Sequence, residues 1–279
     1  MTSKIIYFFL FIVLLFTAVF ESRAANSNRQ SGLLNFSNRS LFPPPATDIK
    51  DTGDFKVGFA PEKSKKQKQK MDADMQQSLQ GLADGLNTTF ALPANVYIAV
   101  GECGESNAFY DSEKKQLLMC YELYAELDEL FKDEYPKESE RDEAVSGAFV
   151  FVFFHELGHA LIDVYDLPVT GKEEDAVDQL STWILTDGTD DGEITAINGA
   201  IAFALLGDGD KELSFWDEHS LNQQRFYNTI CLVYGQNPDK YNDFVKNGTL
   251  PKNRAGRCAG EYAQIDRAWS KLLAPFVKK

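Results

Sequence analysis

The feature that most constrains this chain is an apolar segment, Phe149–Ile162, that carries His155, Glu156 and His159 close together. The residues before His155 are apolar on every side of a helix, which predicts a helix buried in the core. Titratable groups left without partners in a core cost several kcal/mol of folding free energy. A bound ion or a set of hydrogen bonds must therefore hold these three side chains.

A metal ion would hold them well, because residues four apart lie on one helix face, about 6 Å apart along its axis. His155 and His159 could thus place two ring nitrogens on one zinc ion, with Glu156 beside them to polarise a water molecule. Gly158 within the same helix indicates a close neighbour, since glycine costs a helix interior about 1 kcal/mol relative to alanine. The alternative is two hydrogen-bonded core histidines and a surface glutamate, although the whole chain has only three histidines.

A catalytic zinc usually has three protein ligands and one water, so a third ligand is expected downstream. Asp163 is unsuitable, because it would lie about 12 Å along the helix axis from His155. A second helix is predicted at 173–185, and on it Glu174 and Asp178 are four residues apart. Glu174 could bind the metal, and Asp178 could accept a hydrogen bond from a ligating histidine. The alternative is an acidic helix start, which the helix dipole favours.

Length and charge limit the possible architectures and partners. The chain has 279 residues, which allows one large domain or two small ones. Hydrophobic residues make up 44% and charged residues 25%, a composition from which a globular core can form. The net charge of −14 makes nucleic acid and anionic membrane surfaces unsuitable partners.

Residues 1–24 have the pattern of a signal peptide. Lys4 precedes a continuous apolar run, Ile5–Phe20, and Ser22-Arg23-Ala24 offers small residues for cleavage. A membrane anchor is the alternative, but the run is shorter than the ~20 residues that a spanning helix needs. We therefore expect a secreted or extracytoplasmic protein with no stable membrane association after cleavage. Residues 25–50 are predicted to be a flexible leader, and 51–279 the folded domain.

Export permits disulfides, and the chain has four cysteines, which allow three pairings. The local pairs Cys103–Cys120 and Cys231–Cys258 are favoured, each closing a loop worth about 3 kcal/mol. Four buried free thiols are the alternative.

The predicted elements place a small sheet before a mainly helical part. Short apolar runs predict strands at 55–60, 96–100, 107–110 and 116–121. Apolar residues at helical spacing predict one helix from Met71 to Leu86, and from Glu122 onward the chain is predicted to be mainly helical. The first of these helices is marked by Tyr124, Leu127, Leu130 and Phe131, and the others are at 143–163, 173–185, 194–206, 217–234 and 263–276. This order is typical of the α+β class, with an antiparallel or mixed sheet.

His155-Glu156-Leu157-Gly158-His159, followed by Glu174 and Asp178, resembles the gluzincin branch of zinc peptidases, to which thermolysin belongs. From about Phe55 to the C-terminus the chain is similar to a little-characterised family of putative metallopeptidases. The segments that carry this similarity are 108–110, 119–123, 154–160, 171–175, 217–220 and 224–227. The resemblance implies a zincin-like fold, in which a peptide substrate adds as a strand beside the cleft, and 107–110 is the expected edge.

The resemblance also implies a later histidine that steadies the oxyanion of the tetrahedral intermediate, and His219 is the candidate by position. A capping or core histidine is the alternative, and Arg225 and Tyr227 are other possible donors. The sequence therefore predicts a secreted zinc peptidase acting on peptides or proteins, with Glu156 as general base. The competing hypothesis is a non-catalytic zinc-binding or interaction module, in which His219 supplies a fourth ligand.

Overall fold

The computed structural model describes residues 49–59, 73–207 and 213–278, with the side chains of 59 and 73–77 left out. The predicted signal peptide and nearly all of the predicted leader lie outside the described residues. The start of the helix predicted from Met71 also lies outside them.

Four strands form one mixed sheet. They are β1 (Phe55–Phe59), β2 (Val96–Gly101), β3 (Ala108–Asp111) and β4 (Gln116–Cys120), in the order β1-β2-β4-β3. β1, β2 and β4 are parallel neighbours, whereas β3 runs antiparallel to β4 and lies at the edge. The turn between β3 and β4 contains Lys115 at a φ of 48°, and the Asp111 carboxylate accepts a hydrogen bond from the Lys114 amide.

Helix α1 (Ala73–Thr89) lies between β1 and β2 in the chain and packs against β1. Leu79, Leu82 and Leu86 are buried at helical spacing, as predicted from the apolar stripe. The side chains of Met71 and Met75, the other members of that stripe, are outside the described set.

The rest of the described chain is mainly helical, which confirms the predicted α+β class. The helices are α2 (Tyr121–Leu130), α3 (Glu138–Tyr165), α4 (Glu173–Leu185), α5 (Asp190–Leu206), α6 (Asn222–Gln236), α7 (Asp243–Lys246) and α8 (Lys252–Leu273), followed by a 3-10 turn at Ala274–Phe276.

The predicted helix at 217–234 is wrong at its start, because α6 begins at Asn222. The Asp217 carboxylate accepts a hydrogen bond from the His219 amide at 2.8 Å. Such a local side-chain bond competes with helix formation. The segment before α6 is therefore a turn, and this turn presents His219.

Helix α3 is the centre of the core. It is long and apolar enough to cross a membrane by length and composition, but 83% of its most apolar window is buried by the rest of the protein. Its phenylalanines at 149, 151, 153 and 154 are at most 1% exposed. Helices α2, α4 and α5 and strands β3 and β4 pack around it. α3 is therefore the fixed element against which the other parts are positioned.

Gly158 allows α3 and α4 to approach closely. A Cβ atom at this position would lie 2.7 Å from Val177 Cγ1 and 3.3 Å from Val177 Cα on α4. Contacts below 3.0 Å do not occur between real atoms of this kind, so α4 would have to move. The glycine thus sets the distance between the helix that carries His155 and the helix that carries Glu174.

We expect Gly158→Ala to destabilise the fold by about 1–3 kcal/mol, the usual cost of overpacking a core. This loss should exceed the gain of about 1 kcal/mol that alanine brings to a helix. Urea unfolding measures the effect. Gly260→Ala on α8 is the matched control, because nothing lies within 4 Å of its added Cβ. Equal stability changes for the two variants would contradict the close approach as the reason for Gly158.

Two disulfides tie the fold together, Cys103–Cys120 and Cys231–Cys258, and none of the four cysteines is free. The first joins the end of β2 to the junction of β4 and α2, and the second joins α6 to α8. Two disulfides in one chain are typical of oxidising, extracytoplasmic compartments.

Candidate metal centre

All three histidines of the chain meet at one carboxylate. Nε2 of His155 lies 3.1 Å and Nε2 of His219 lies 2.9 Å from Oε2 of Glu174. Nε2 of His159 lies 3.4 Å from the other oxygen, Oε1. Helix α3 supplies His155 and His159, α4 supplies Glu174, and the turn before α6 supplies His219. Groups far apart along the sequence are thus brought into one cluster.

Each histidine also has a carboxylate on its other ring nitrogen. Nδ1 of His155 lies 2.8 Å from Asp178 Oδ1, and Nδ1 of His159 lies 2.7 Å from Glu173 Oε1. Nδ1 of His219 lies 3.3 Å from Asp217 Oδ1. An ionised carboxylate can only accept a hydrogen bond, so Nδ1 must carry the proton in each case. The lone pair of a neutral ring is then on Nε2, which is the arrangement that metal-ligating histidines adopt.

Arg225 forms a further layer behind His155. Its guanidinium donates two hydrogen bonds to Asp178, with Nε to Oδ2 at 2.7 Å and Nη2 to Oδ1 at 2.8 Å. The same guanidinium stacks over the ring of Phe203, 3.9 Å from its centroid. Such a two-pronged pair fixes a carboxylate in orientation as well as in charge. Arg225 therefore orients Asp178, which in turn orients the His155 ring.

Glu174 has the surroundings expected of a metal ligand. Its Oε2 atom is buried and lies close to two Nε2 atoms, and it has no hydrogen bond within the described residues as long as the ring protons are on Nδ1. A buried carboxylate oxygen without a hydrogen bond is costly. One ligand atom each from His155, Glu174 and His219 lie within 4.8 Å of one another. His159, the other histidine predicted as a ligand, is not in that compact group, and its Nε2 lies 3.4 Å from Glu174 Oε1. Imidazole nitrogens and carboxylate oxygens are suitable zinc ligands, so the donors of the cluster fit the ion by type.

The charges of the cluster depend on one another. Burial lowers the pKa of His155, but the neighbouring Asp178 and Glu174 carboxylates outweigh it and raise that pKa to about 9. Burial raises the pKa of Glu174, but the three histidines outweigh it and hold that pKa far below its ordinary value. Burial also raises the pKa of Asp178, but Arg225 and His155 outweigh it and lower that pKa to about 2. Metal binding near neutral pH must therefore displace protons from the histidines.

Glu156 is placed differently from the other carboxylates. It is 6% exposed and lines the cleft, and its side chain makes no hydrogen bond or ion pair within the described part of the chain. Burial raises the pKa of its carboxyl group, although His155 and His159 partly oppose the change. A raised pKa brings a carboxylate nearer to the range in which it exchanges protons at neutral pH. Glu156 thus has the properties of a proton acceptor rather than of a structural anchor.

A cleft of about 670 Å³ opens over the cluster. One wall is the edge strand β3 with the residue before it, and the floor is the face of α3 that continues from His159 to Asp166. Tyr110 on β3 donates a hydrogen bond from its hydroxyl to Asp163 Oδ2 at 2.7 Å, and Lys115 Nζ lies 3.1 Å from the same oxygen. These two bonds fix the edge strand to the helix that carries the histidines.

Every residue for which the sequence predicted a role at the metal is in this cluster. They are His155, Glu156, His159, Glu174, Asp178 and His219. Asp163, rejected as a ligand from the sequence, instead anchors β3. Arg225 contacts Asp178, and Tyr227 is not among the residues that line the cleft.

Three contributions were missed from the sequence, those of Glu173, Asp217 and Arg225. Glu173 belongs to the acidic start of α4, for which the sequence offers only the helix dipole as a reason, yet its carboxylate lies 2.7 Å from Nδ1 of His159. Asp217 lies two residues before His219, a spacing typical of a side chain that bonds its own local backbone. Arg225 could not be paired with Asp178 from the sequence, because the two are 47 residues apart.

The comparisons with known proteins give one match. The model of a family described as "Putative metallopeptidase" matches residues 59–273, which include both helices of the cluster and the turn that carries His219. No curated protein and no solved structure gave a significant match.

Proposed function

The chain belongs to the family of putative metallopeptidases, and from that membership we propose that it is a secreted, zinc-dependent peptidase. The observation that carries the proposal is the set of three Nε2 atoms around Glu174, each ring with a carboxylate on Nδ1. His155, His159 and Glu174 are the proposed zinc ligands. Secretion is supported by the signal-peptide pattern of residues 1–24 and by the two disulfides.

A bound zinc ion would act as a Lewis acid that polarises the scissile carbonyl and makes a water molecule a better nucleophile at neutral pH. Glu156 accepts the proton of the attacking water and then delivers it to the leaving amine. Its buried, unpaired carboxylate lies on the cleft side of the cluster, where such a water would have to be.

The other residues of the cluster orient these groups. Asp178 and Glu173 hold the rings of His155 and His159 in the tautomer that leaves Nε2 available. His219 is the proposed donor to the developing oxyanion, since it lines the cleft and its Nε2 lies at the cluster, 2.9 Å from Glu174 Oε2. Lys172 holds the turn of His219, with Nζ donating to the Asp217 carbonyl at 2.9 Å and lying 3.3 Å from the His219 carbonyl.

The substrate is proposed to bind as an added strand along β3. This strand is at the sheet edge of the described fold, so one row of its backbone groups has no strand partner there, and Ala108, Phe109 and Tyr110 line the cleft. An extended peptide that pairs with it would cross the metal cluster, which lies beside the same strand. This arrangement supports peptides or proteins as the substrate class.

A second candidate function is favoured by the position of His219. Because its Nε2 is 2.9 Å from Glu174 Oε2, it could serve as a fourth ligand and close the metal site. The protein would then be a zinc-binding module without catalytic activity. The unpaired Glu156 argues against this alternative, since a closed structural site has no use for a buried base.

The purified protein should cleave members of a mixed peptide library, as read by mass spectrometry. Treatment with 1,10-phenanthroline should abolish cleavage, and removal of the chelator with addition of zinc should restore it. Cleavage that survives complete removal of the metal would contradict the proposal. Absence of any cleavage by protein that holds one zinc per chain would favour the closed zinc-binding module.

A further inference from the structure

The cleft beside the metal cluster has an unbalanced charge. The carboxylates among its lining residues are Glu156, Asp163, Asp166, Glu173 and Glu174, and no lysine or arginine of the described chain lines it. A divalent cation would offset the charges of Glu156 and Glu174, and Lys115 pairs with Asp163. Asp166 and Glu173 remain, and of these only Glu173 has a partner, the ring of His159.

Asp166 is unusual for its position in the fold. It is the residue after the end of α3, in the left-handed conformation with φ 50° and ψ 49°. Glycine or asparagine is preferred there, and a negative charge at a helix C-terminus opposes the helix dipole. The last turn of α3 has no basic residue, and the Asp166 carboxylate makes no hydrogen bond or ion pair with the described residues. Aspartate tolerates the left-handed conformation, so the backbone accounts for a small polar residue at this site but not for its negative charge.

The position of Asp166 along the cleft offers a role for its negative charge. His155, His159 and Asp163 lie along one face of α3 at helical spacing, Asp166 directly follows the end of the helix, and all four line the cleft. Asp166 lies about 10 Å along the helix axis from His159. An extended peptide on β3 covers this distance in about three residues. A second observation supports ligand binding in this cleft, because Glu156 lines it while its side chain is nine-tenths buried and unpartnered among the described residues.

We propose that the cleft selects cationic peptides, with Asp166 as the specificity-determining residue for a lysine or arginine about three residues from the scissile bond. This inference rests on the proposed peptidase function. Ile162 and Leu167 beside Asp166 are buried and apolar, and they suit the aliphatic stem of such a side chain. The cleft would also raise the local concentration of cationic substrates.

Peptide binding tests the inference without requiring cleavage. The zinc-loaded full-length mature chain carrying Glu156→Gln is titrated into three fluorescent peptides that differ only in lysine, glutamine or glutamate at matched positions. We expect the lysine peptide to bind about 3- to 10-fold more tightly than the glutamine peptide, the effect of one or two exposed ion pairs. The glutamate peptide should bind most weakly. Raising NaCl from about 0.1 M to about 1 M should reduce the difference, because the Debye length falls from about 10 Å to about 3 Å.

Adding Asp166→Asn should remove most of the lysine preference and leave the fold intact, since asparagine tolerates the left-handed conformation. Asp133→Asn is the matched control, because Asp133 is an exposed aspartate that does not line the cleft. Equal binding of the three peptides, no binding of any, or an unchanged preference in Asp166→Asn would overturn the inference. Chelator-sensitive cleavage of neutral peptides by the parent protein would still support the peptidase function, so the two failures are distinguishable.

Discussion

Glu156→Gln should keep zinc and fold while peptide hydrolysis falls by about 10²–10⁴-fold, the usual effect of removing a general base. Glutamine has nearly the same shape as glutamate, and Glu156 is not one of the proposed ligands. Its amide cannot accept the proton of the attacking water. The fold should not suffer, because Glu156 makes no hydrogen bond or ion pair within the described chain and its charge is buried.

The assay needs kcat/KM on one peptide substrate and zinc quantified in the same preparation. Glu113→Gln is a suitable control, because Glu113 is exposed in the turn between β3 and β4 and outside the cleft lining. A Glu156→Gln variant that cleaves as fast as the parent would exclude Glu156 as the base. The zinc-binding module would then become the better account of the cluster.

Removing a proposed zinc ligand should have a different result from Glu156→Gln, because the protein should lose its zinc and its peptide hydrolysis together. His155→Ala deletes a ring that is 5% exposed and fixed by Asp178 on one side and Glu174 on the other. We expect zinc occupancy after dialysis to fall from about one per chain to a small fraction, with a lower unfolding temperature, since metal binding contributes to folding free energy. Glu174→Gln should lower zinc affinity as well, because an amide is a weaker ligand than a carboxylate.

His219→Ala is the matched histidine variant, and it separates the two candidate functions. If His219 is an oxyanion donor, zinc occupancy should be retained while kcat falls by about 10²–10³-fold. If His219 closes the site as a fourth ligand, zinc affinity should fall as it does in His155→Ala. Full zinc content in His155→Ala would contradict the assignment of the ligands themselves.

The central residues of the metal cluster could be predicted from the sequence, because they lie close together along the chain. His155, Glu156 and His159 lie within one helical turn of a segment that is otherwise apolar, so their spacing alone indicates a shared face. Glu174 and Asp178 repeat the same spacing on the next helix. The two local disulfides are present in the structure for a similar reason, since short loops bring their cysteines together.

The contributions that were not predicted depend on contacts between distant parts of the chain. The approach of Arg225 to Asp178 is set by the packing of α6 against α4, and the order β1-β2-β4-β3 is set by pairings that no periodicity encodes. The helix predicted at 217–234 was wrong at its start because the Asp217 side chain bonds the His219 backbone. The helix therefore begins at Asn222, although the apolar spacing predicts it from residue 217.

The most direct test of the account is a crystal structure of the zinc-loaded protein, with anomalous diffraction recorded on both sides of the zinc absorption edge. The account predicts one anomalous peak about 2.0–2.2 Å from Nε2 of His155, Nε2 of His159 and a carboxylate oxygen of Glu174. It also predicts one coordination position open to the cleft beside Glu156, with His219 near the metal but not bound to it. A peak elsewhere in the chain, or a site closed by His219 with no open position, would contradict the account.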